Sequence, residues 1–283
     1  MSLQPTSEQW QVLQPVERFN FKVTHSFNSS PIIRPILTKL CVVFGGPCVE
    51  IATSNIVLDH GFENFEKIDP NRGALLVVNH RTFYDQLAIY ARLLRLFDTH
   101  RNAYFPVRAN FFYDNPLGLL VNLLFALGGM YPPIIREKKR RLWNRYATDL
   151  MAKLLTNPGN MVGFHPEGTR NRGPDPYALL PGKPGCGELI FRSNPNVVPV
   201  FLQGFIKSPF KMVQRNWSSS PKPVVHMVMG EPLDFSEELK LQENRKTFLQ
   251  ISKKVMKAID ELAKRERDIR AEFEGKVQET ALP

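Results

Sequence analysis

The amino-acid sequence predicts an α/β domain, with a mostly parallel or mixed central sheet flanked by helices, on three observations. The run ALLVVNH from Ala74 is short, continuous and apolar, as buried strands are. It is followed by Leu87, Tyr90, Ala91 and Leu94 at i, i+3, i+4 and i+7, the spacing of a helix. Three further strand-like runs, MVGFHPEG, VVPVFLQG and PVVHMVMGEPLDF, carry turn residues at their ends. A chain of 283 residues, 43% of them hydrophobic, can bury one large core, and this alternation packs helices on a sheet.

The elements follow in order. The opening MSLQPTSEQWQVLQ is polar and lacks the basic-then-apolar order of a secretory signal. Ile32 to Gly46, IIRPILTKLCVVFGG, is interrupted by Arg34, Pro35 and Lys39 and reads as too short to cross hydrocarbon. Its Ile32, Ile33, Ile36, Leu37 and Leu40 suit a helix lying in a membrane surface or packed on the core. A boundary near Asp69-Pro70 divides an N-terminal helical, membrane-associating region, residues 1–69, from an α/β body with a long C-terminal helix, residues 70–283.

NAYFPV is a weaker strand, ended by Pro106, before a helix from Leu117 to Leu127. The uncharged stretch Asn115 to Ile135 approaches spanning length, but Gly128-Gly129 and Pro132-Pro133 break it, which predicts a buried or interfacial helix. IREKKRRLWNRYATDLMAKLLT reads as a basic helix with Leu142, Tyr146, Leu150 and Leu154 on one face. Phe248, Ile251, Val255, Ile259 and Leu262 predict a long helix after Ser236, with the charged tail KRERDIRAEFEGKVQETALP frayed.

The chain has 37 Lys plus Arg against 27 Asp plus Glu, net +10, which favours anionic partners. No RNP-like, finger or basic-heptad pattern is present, so nucleic acid is not expected among them. Three cysteines without a C-x-x-C spacing argue against a disulfide framework or a thiolate zinc site and fit the cytosolic side. His60 and His100 read as residues of exposed turns, and His226 as a satisfied core histidine.

Two stretches carry chemistry. In VVNHRTFYDQ, Val77 to Gln86, Thr82 is a natural N-cap with Asp85 at N3, the arrangement of a capping box. The same geometry turns the Asp85 carboxylate towards His80, where it would fix the imidazole tautomer and leave the other ring nitrogen to take a proton. In GFHPEGTRNRG, Gly163 to Gly173, the cations Arg170 and Arg172, with Lys183 beyond, sit among glycines, as a phosphate site requires. A base on one strand-end loop and an anion grip on another suit transfer to a phosphate-bearing alcohol.

These blocks resemble the PlsC-like glycerolipid acyltransferases, which include 1-acylglycerol-3-phosphate and glycerol-3-phosphate acyltransferases. The Asn-His-x4-Asp block stands here as Asn79, His80 and Asp85, and a second block ends in Arg136. Pro166 to Arg170 match a Pro-Glu-Gly-Thr-Arg block, and Val198, Pro199 and Val200 a Val-Pro-Val strand. Arg108 and the Lys183-x-Gly185 pair look similar too, and the likeness spans roughly Gly73 to Phe235. His165 departs from it, in place of the aromatic residue that usually precedes Pro166.

The resemblance implies that His80 is a general base and that Asp85 orients it. It implies too that Arg136, Glu167, Gly168, Thr169, Arg170 and Lys183 hold the acceptor, and that Pro199 shapes the acyl side of the cleft. The donor would be an acyl-CoA or acyl carrier protein thioester acting as co-substrate, with no cofactor and no metal. The acceptor would be a phosphate-bearing lipid, foremost 1-acylglycerol-3-phosphate, and the protein would work at the cytoplasmic side of a membrane, peripheral or monotopic. Docking would use Ile32 to Phe44, the basic cluster Arg136 to Arg145, or both. Two alternatives stand beside this: a transacylase that remodels phospholipids, and a metal-dependent hydrolase using His80, Asp85, His165 and Glu167.

Overall fold

The computed structural model describes residues 3–82, 85–97, 101–206, 208–219 and 224–280. Its central sheet has six strands: β1 (Val57–His60), β2 (Ala74–Val78), β3 (Asn102–Tyr104), β6 (Asn160–Phe164), β7 (Asn196–Gln203) and β8 (Val225–Met229), in the order β1-β8-β7-β2-β6-β3. Two short strands, β4 (Val107–Arg108) and β5 (Pro133–Ile134), form a separate parallel pair. Strands β7, β2, β6 and β3 run parallel, whereas β8 is antiparallel to β7 and β1 runs with β8, so the sheet is mixed.

Eleven α-helices are present among the described residues. They are α1 (Ser7–Gln11), α2 (Pro15–Ser29), α3 (Ile33–Leu40), α4 (Gly46–Thr53), α5 (Asp85–Phe97), α6 (Ala109–Phe112), α7 (Pro116–Ala126), α8 (Leu142–Leu155), α9 (Pro184–Ser193), α10 (Pro209–Asn216) and α11 (Arg245–Thr280). β2 is a continuous apolar run because both faces of the sheet are covered. Leu75 and Val77 join one core with α8, α9 and α11, while Ala74, Leu76 and Val78 join the other with α5 and β1. That alternation is the two-residue period of a strand.

The residues before Asp69-Pro70 do not form a body of their own. β1 is an edge strand of the main sheet, and Phe21 of α2 packs edge-on against Trp143 at 4.8 Å and stacks on Tyr131 at 5.8 Å. At the other end the tail does not fray after residue 263. The helix runs on to Thr280, and Arg270 donates to the Val224 and Gln203 carbonyls at 3.1 and 3.2 Å.

A π-helical turn at Cys41–Gly45 joins α3 to α4, so Ile33–Thr53 is one helix of 21 residues with mean hydropathy 1.5 over its most apolar window. By length and composition that is enough to cross a membrane, which corrects the expectation of a segment too short. Its polar side faces the protein: buried Arg34 donates to Asn28 Oδ1 at 3.0 Å and to the Ala103 carbonyl at 3.2 Å. Ile32, Ile33, Ile36, Val43 and Phe44 face outward instead. Helix α7 is turned the same way, burying Gly118, Asn122 and Ala126 and exposing Leu117, Leu120, Leu124 and Phe125. Its apolar side is exposed rather than buried.

Candidate functional site

Because β2, β6 and β7 are parallel neighbours, the loops that leave their C-terminal ends open on one edge of the sheet. His80 follows β2, and His165 and the Pro166–Arg170 turn follow β6. The His80 turn is fastened from both sides. Asn79 exchanges two hydrogen bonds with the backbone of Leu202 on β7, at 3.0 and 2.9 Å, and the His80 carbonyl accepts from the Asn171 amide at 3.1 Å.

His80 Nδ1 lies 3.3 Å from Asp85 Oδ2, and this partner assigns the proton to Nδ1 and leaves Nε2 as the basic nitrogen. Asp85 is fully buried and accepts also from the amides of Arg81 at 2.8 Å and Thr82 at 2.9 Å, and from the Thr82 hydroxyl. Burial alone would raise its pKa. The hydrogen bond from His80, the nearby His165 and the Thr82 hydroxyl outweigh that, and the carboxyl is held below its usual value. One half of the expected capping box is present: the Asp85 carboxylate reaches back to accept from the Thr82 amide, and the Thr82 hydroxyl donates to the same carboxylate.

His165 stacks on His80 with ring centroids 3.7 Å apart and planes 17° from parallel, and its Nδ1 donates to the Val78 carbonyl at 3.0 Å. Burial, with His80 adding to it, lowers its pKa to about 3, so the ring is neutral wherever the base operates. Between the ordinary 6.5 and about 3 the unfolded chain binds a proton here that the folded chain refuses, so stability rises with pH across that window and the full contribution is reached above it. We expect the melting temperature to fall as pH is lowered from 7 to 4, and to fall less steeply in His165→Phe. Thermal scans across that range check it; equal slopes would remove this ring from the account.

His80, Asp85 and His165 each bring a ligand atom within 4.8 Å of the others. They do not fit a metal as they stand. Each imidazole lone pair lies in its own ring plane, and planes stacked 3.7 Å apart cannot both aim at one ion about 2.0–2.1 Å away unless a ring turns. Glu167, the fourth residue of the metal alternative, is engaged elsewhere.

That engagement also corrects the expected role of Glu167 in holding an acceptor. It is buried, and its two oxygens accept from the His80 amide at 2.9 Å and the Leu180 amide at 2.8 Å. Burial raises its pKa, against the pull of those two N–H groups. The residue ties the His80 turn to the loop after β6. Pro199 is corrected as well. It lies buried in β7 opposite Val77, three residues, or roughly 10 Å, down the strand from the level of His80, and does not line the rim.

The cationic residues do gather. Arg136 Nη2 donates to the Gly168 carbonyl at 2.5 Å, and its Nη1 lies 3.5 Å from Thr169 Oγ1. Burial first, then repulsion from Arg108 and Arg170, lowers the Arg136 pKa. Gly168 takes φ +68, a left-handed conformation that glycine adopts without strain, and it packs beside the stem of exposed Lys183. The expected basic cluster Arg136 to Arg145 is partly committed inside the protein, because Arg140 pairs with buried Glu17 and donates to the Val12 carbonyl at 2.9 Å.

His60 differs from expectation: it is on β1, partly covered, with Nε2 3.1 Å from His226 Nδ1. His226 lies in the core as expected, but its Nε2 is buried without a hydrogen-bond partner among the described residues. His100 lies outside the described residues. Cys186 is buried in α9, and burial pushes its thiol up to about 12.

A family model described as Acyltransferase matches residues 57–203, just over half of the chain, and includes both the His80 turn and the Arg170 loop. The chain belongs to the acyltransferase family. A solved structure to which this acyltransferase is similar is the 1-acyl-sn-glycerophosphate acyltransferase PlsC from Thermotoga maritima. The two share 18% identity over 86% of this chain and 87% of that one, with a TM-score of 0.49. No curated protein matches it.

Proposed function

We propose that this acyltransferase moves a fatty acyl group from an acyl-CoA or acyl carrier protein thioester to the hydroxyl of a glycerol phosphate or lysophospholipid acceptor, foremost 1-acylglycerol-3-phosphate. One observation carries the proposal: His80, with one ring nitrogen held by a buried carboxylate, lies on the turn joined through Glu167 and Asn171 to the loop on whose Gly168 carbonyl the Arg136 guanidinium rests. His80 Nε2 takes the acceptor's hydroxyl proton as the oxygen attacks the thioester carbonyl. The tetrahedral adduct then expels the thiolate, which receives the proton from the imidazolium. Asp85 stabilises that transient cation. No enzyme nucleophile is required, since the thioester is already activated, and a placed base contributes roughly 10²–10⁴ in rate.

Arg136 and Arg170 would grip the acceptor's phosphate, with Thr169 and the Gly168 backbone beside them and Lys183 at the margin. The outward apolar faces of Ile33–Thr53 and α7 support docking on a lipid surface, where such an acceptor resides. The deciding assay measures thiol release from acyl-CoA against lysophosphatidic acid, glycerol-3-phosphate, lysophospholipids and a monoacylglycerol without phosphate. Release that requires a phosphate-bearing acceptor is expected; release indifferent to the acceptor would refute the proposal. Arg170→Ala should raise KM for lysophosphatidic acid about tenfold, the value of one charge-assisted contact, while leaving KM for the donor in place. A change confined to kcat would count against the phosphate grip.

A further inference from the structure

The acceptor's cations lie on one side of His80 only. In the sheet β2 stands between β6 and β7, so the loop after β6 flanks the base on one side and the loop after β7 flanks it on the other. The chain leaves β7 through Gly204, at φ +116, where a side chain would meet the Val224 carbonyl at 2.7 Å, and enters α10 behind Ser208, whose Oγ accepts from the Lys211 amide at 3.4 Å. Between this loop and α10 is an open cleft of about 770 Å³.

The cleft is amphipathic. Phe205 and Ile206 line it with apolar surface, and Lys211, Gln214 and Arg215 line it from α10, with no carboxylate among the described lining residues. Lys211 and Arg215 are four residues apart and so share a helix face. Neither side chain forms an ion pair among the described residues, unlike Arg92, Arg140 and Arg192, each of which meets a carboxylate. Two uncompensated cations over an apolar floor suit a ligand with phosphates at one end and an apolar arm leading inward.

We propose that this cleft is the donor subsite, with Lys211 and Arg215 binding the phosphates of coenzyme A. The inference rests on the acyl-transfer reading for its chemistry and adds which carrier is used and where it binds. The thioester carbonyl must reach the hydroxyl that His80 deprotonates, and the β6 side is committed to the acceptor's phosphate. The donor therefore arrives from the β7 side. The Asn79–Leu202 hydrogen bonds hold the end of β7 in fixed register with His80, so an arm laid along the end of β7 from the α10 cleft would meet it.

The test is titration of free coenzyme A into the protein by calorimetry, which needs no turnover. Lys211→Ala/Arg215→Ala should raise the dissociation constant at least tenfold, and added salt should weaken wild-type binding more than it weakens the variant's. In steady state the same variant should raise KM for acyl-CoA by a similar factor with KM for lysophosphatidic acid within about twofold, the opposite of Arg170→Ala. Lys211→Glu gives an independent check and should weaken binding further. Wild-type affinity in either variant, or no coenzyme A binding by the wild type, overturns the proposal. Binding lost in the variants of a protein that releases no thiol would uphold the subsite and refute the acyl-transfer reading.

Discussion

His80→Ala should lower kcat for acyl transfer roughly 10³-fold, with KM for both substrates changed by less than about threefold. The argument is geometric. Its Nε2 is the basic nitrogen that the Nδ1 contact with Asp85 at 3.3 Å leaves for the substrate. The turn does not depend on the ring for its shape: the Asn79–Leu202 pair, the Glu167 carboxylate on the residue-80 amide and the Asn171 amide on its carbonyl all use other atoms. Alanine therefore removes the proton acceptor while the neighbouring loops keep their places. Intact binding surfaces should show as unchanged KM values, while the melting temperature should fall, because buried Asp85 loses its His80 donor and His165 its stacking partner. Turnover retained within tenfold of wild type would end the general-base assignment.

The second large effect is expected at Asp85, and there two quantities should fall together. Asp85 accepts from His80 Nδ1, two backbone amides and a hydroxyl, all donors. Asparagine would turn an N–H₂ group against some of these donors, and the ring would gain by presenting Nδ1 as an acceptor, which puts the proton on the wrong nitrogen. We expect Asp85→Asn to lower kcat about 10²–10⁴-fold. Breaking a buried, charged network from one side typically costs about 3–5 kcal/mol, so the denaturant midpoint should drop as well. The carboxyl is held below its ordinary 3.8, so its stabilisation is complete above about pH 4 and is lost as pH falls through the lowered value. The variant should lack that acid-side component. An Asp85→Asn protein with wild-type turnover would mean that the imidazole is oriented by something else.

Much of the site could be read along the chain because its parts are local. Asn79, His80 and Asp85 belong to a single strand-to-helix turn, so their spacing alone puts a carboxylate within reach of the ring. Pro166 to Arg170 likewise form one turn. Residues misplaced in the reading are those whose partners are distant in sequence. Glu167 is acidic within a motif and was expected to face the acceptor, but its partners are the amides of residues 80 and 180. His165 showed as a departure from the usual aromatic, and its contact with His80 depends on β2 and β6 being adjacent. Lys211 and Arg215 drew no attention. The available signal was a pair of cations at helical spacing between Phe210 and Trp217, immediately after a strand.

The apolar helices show the same divide from another side. Periodicity in Ile32 to Leu40 and in Leu117 to Leu127 is visible in the sequence, but the direction of each apolar face is not. A helix packs its greasy side inward only if no better partner exists for its polar side. Here Arg34 finds Asn28 and the Ala103 carbonyl, and Asn122 binds both the amide and the carbonyl of Met130, so the polar sides turn in and the leucines, isoleucines and phenylalanines turn out.

By itself the sequence determined the alternation of strands and helices, the family, and a histidine–aspartate pair one turn apart, because backbone propensity and short-range spacing act within a few residues. Only the tertiary structure decided the strand order that sets β2 between β6 and β7, the use of Glu167 as a fastener, and the seating of Arg136 on the Gly168 turn. Those depend on hydrogen bonds and burial between segments up to 123 residues apart, and the free energy of such contacts exists only once the chain has closed on itself.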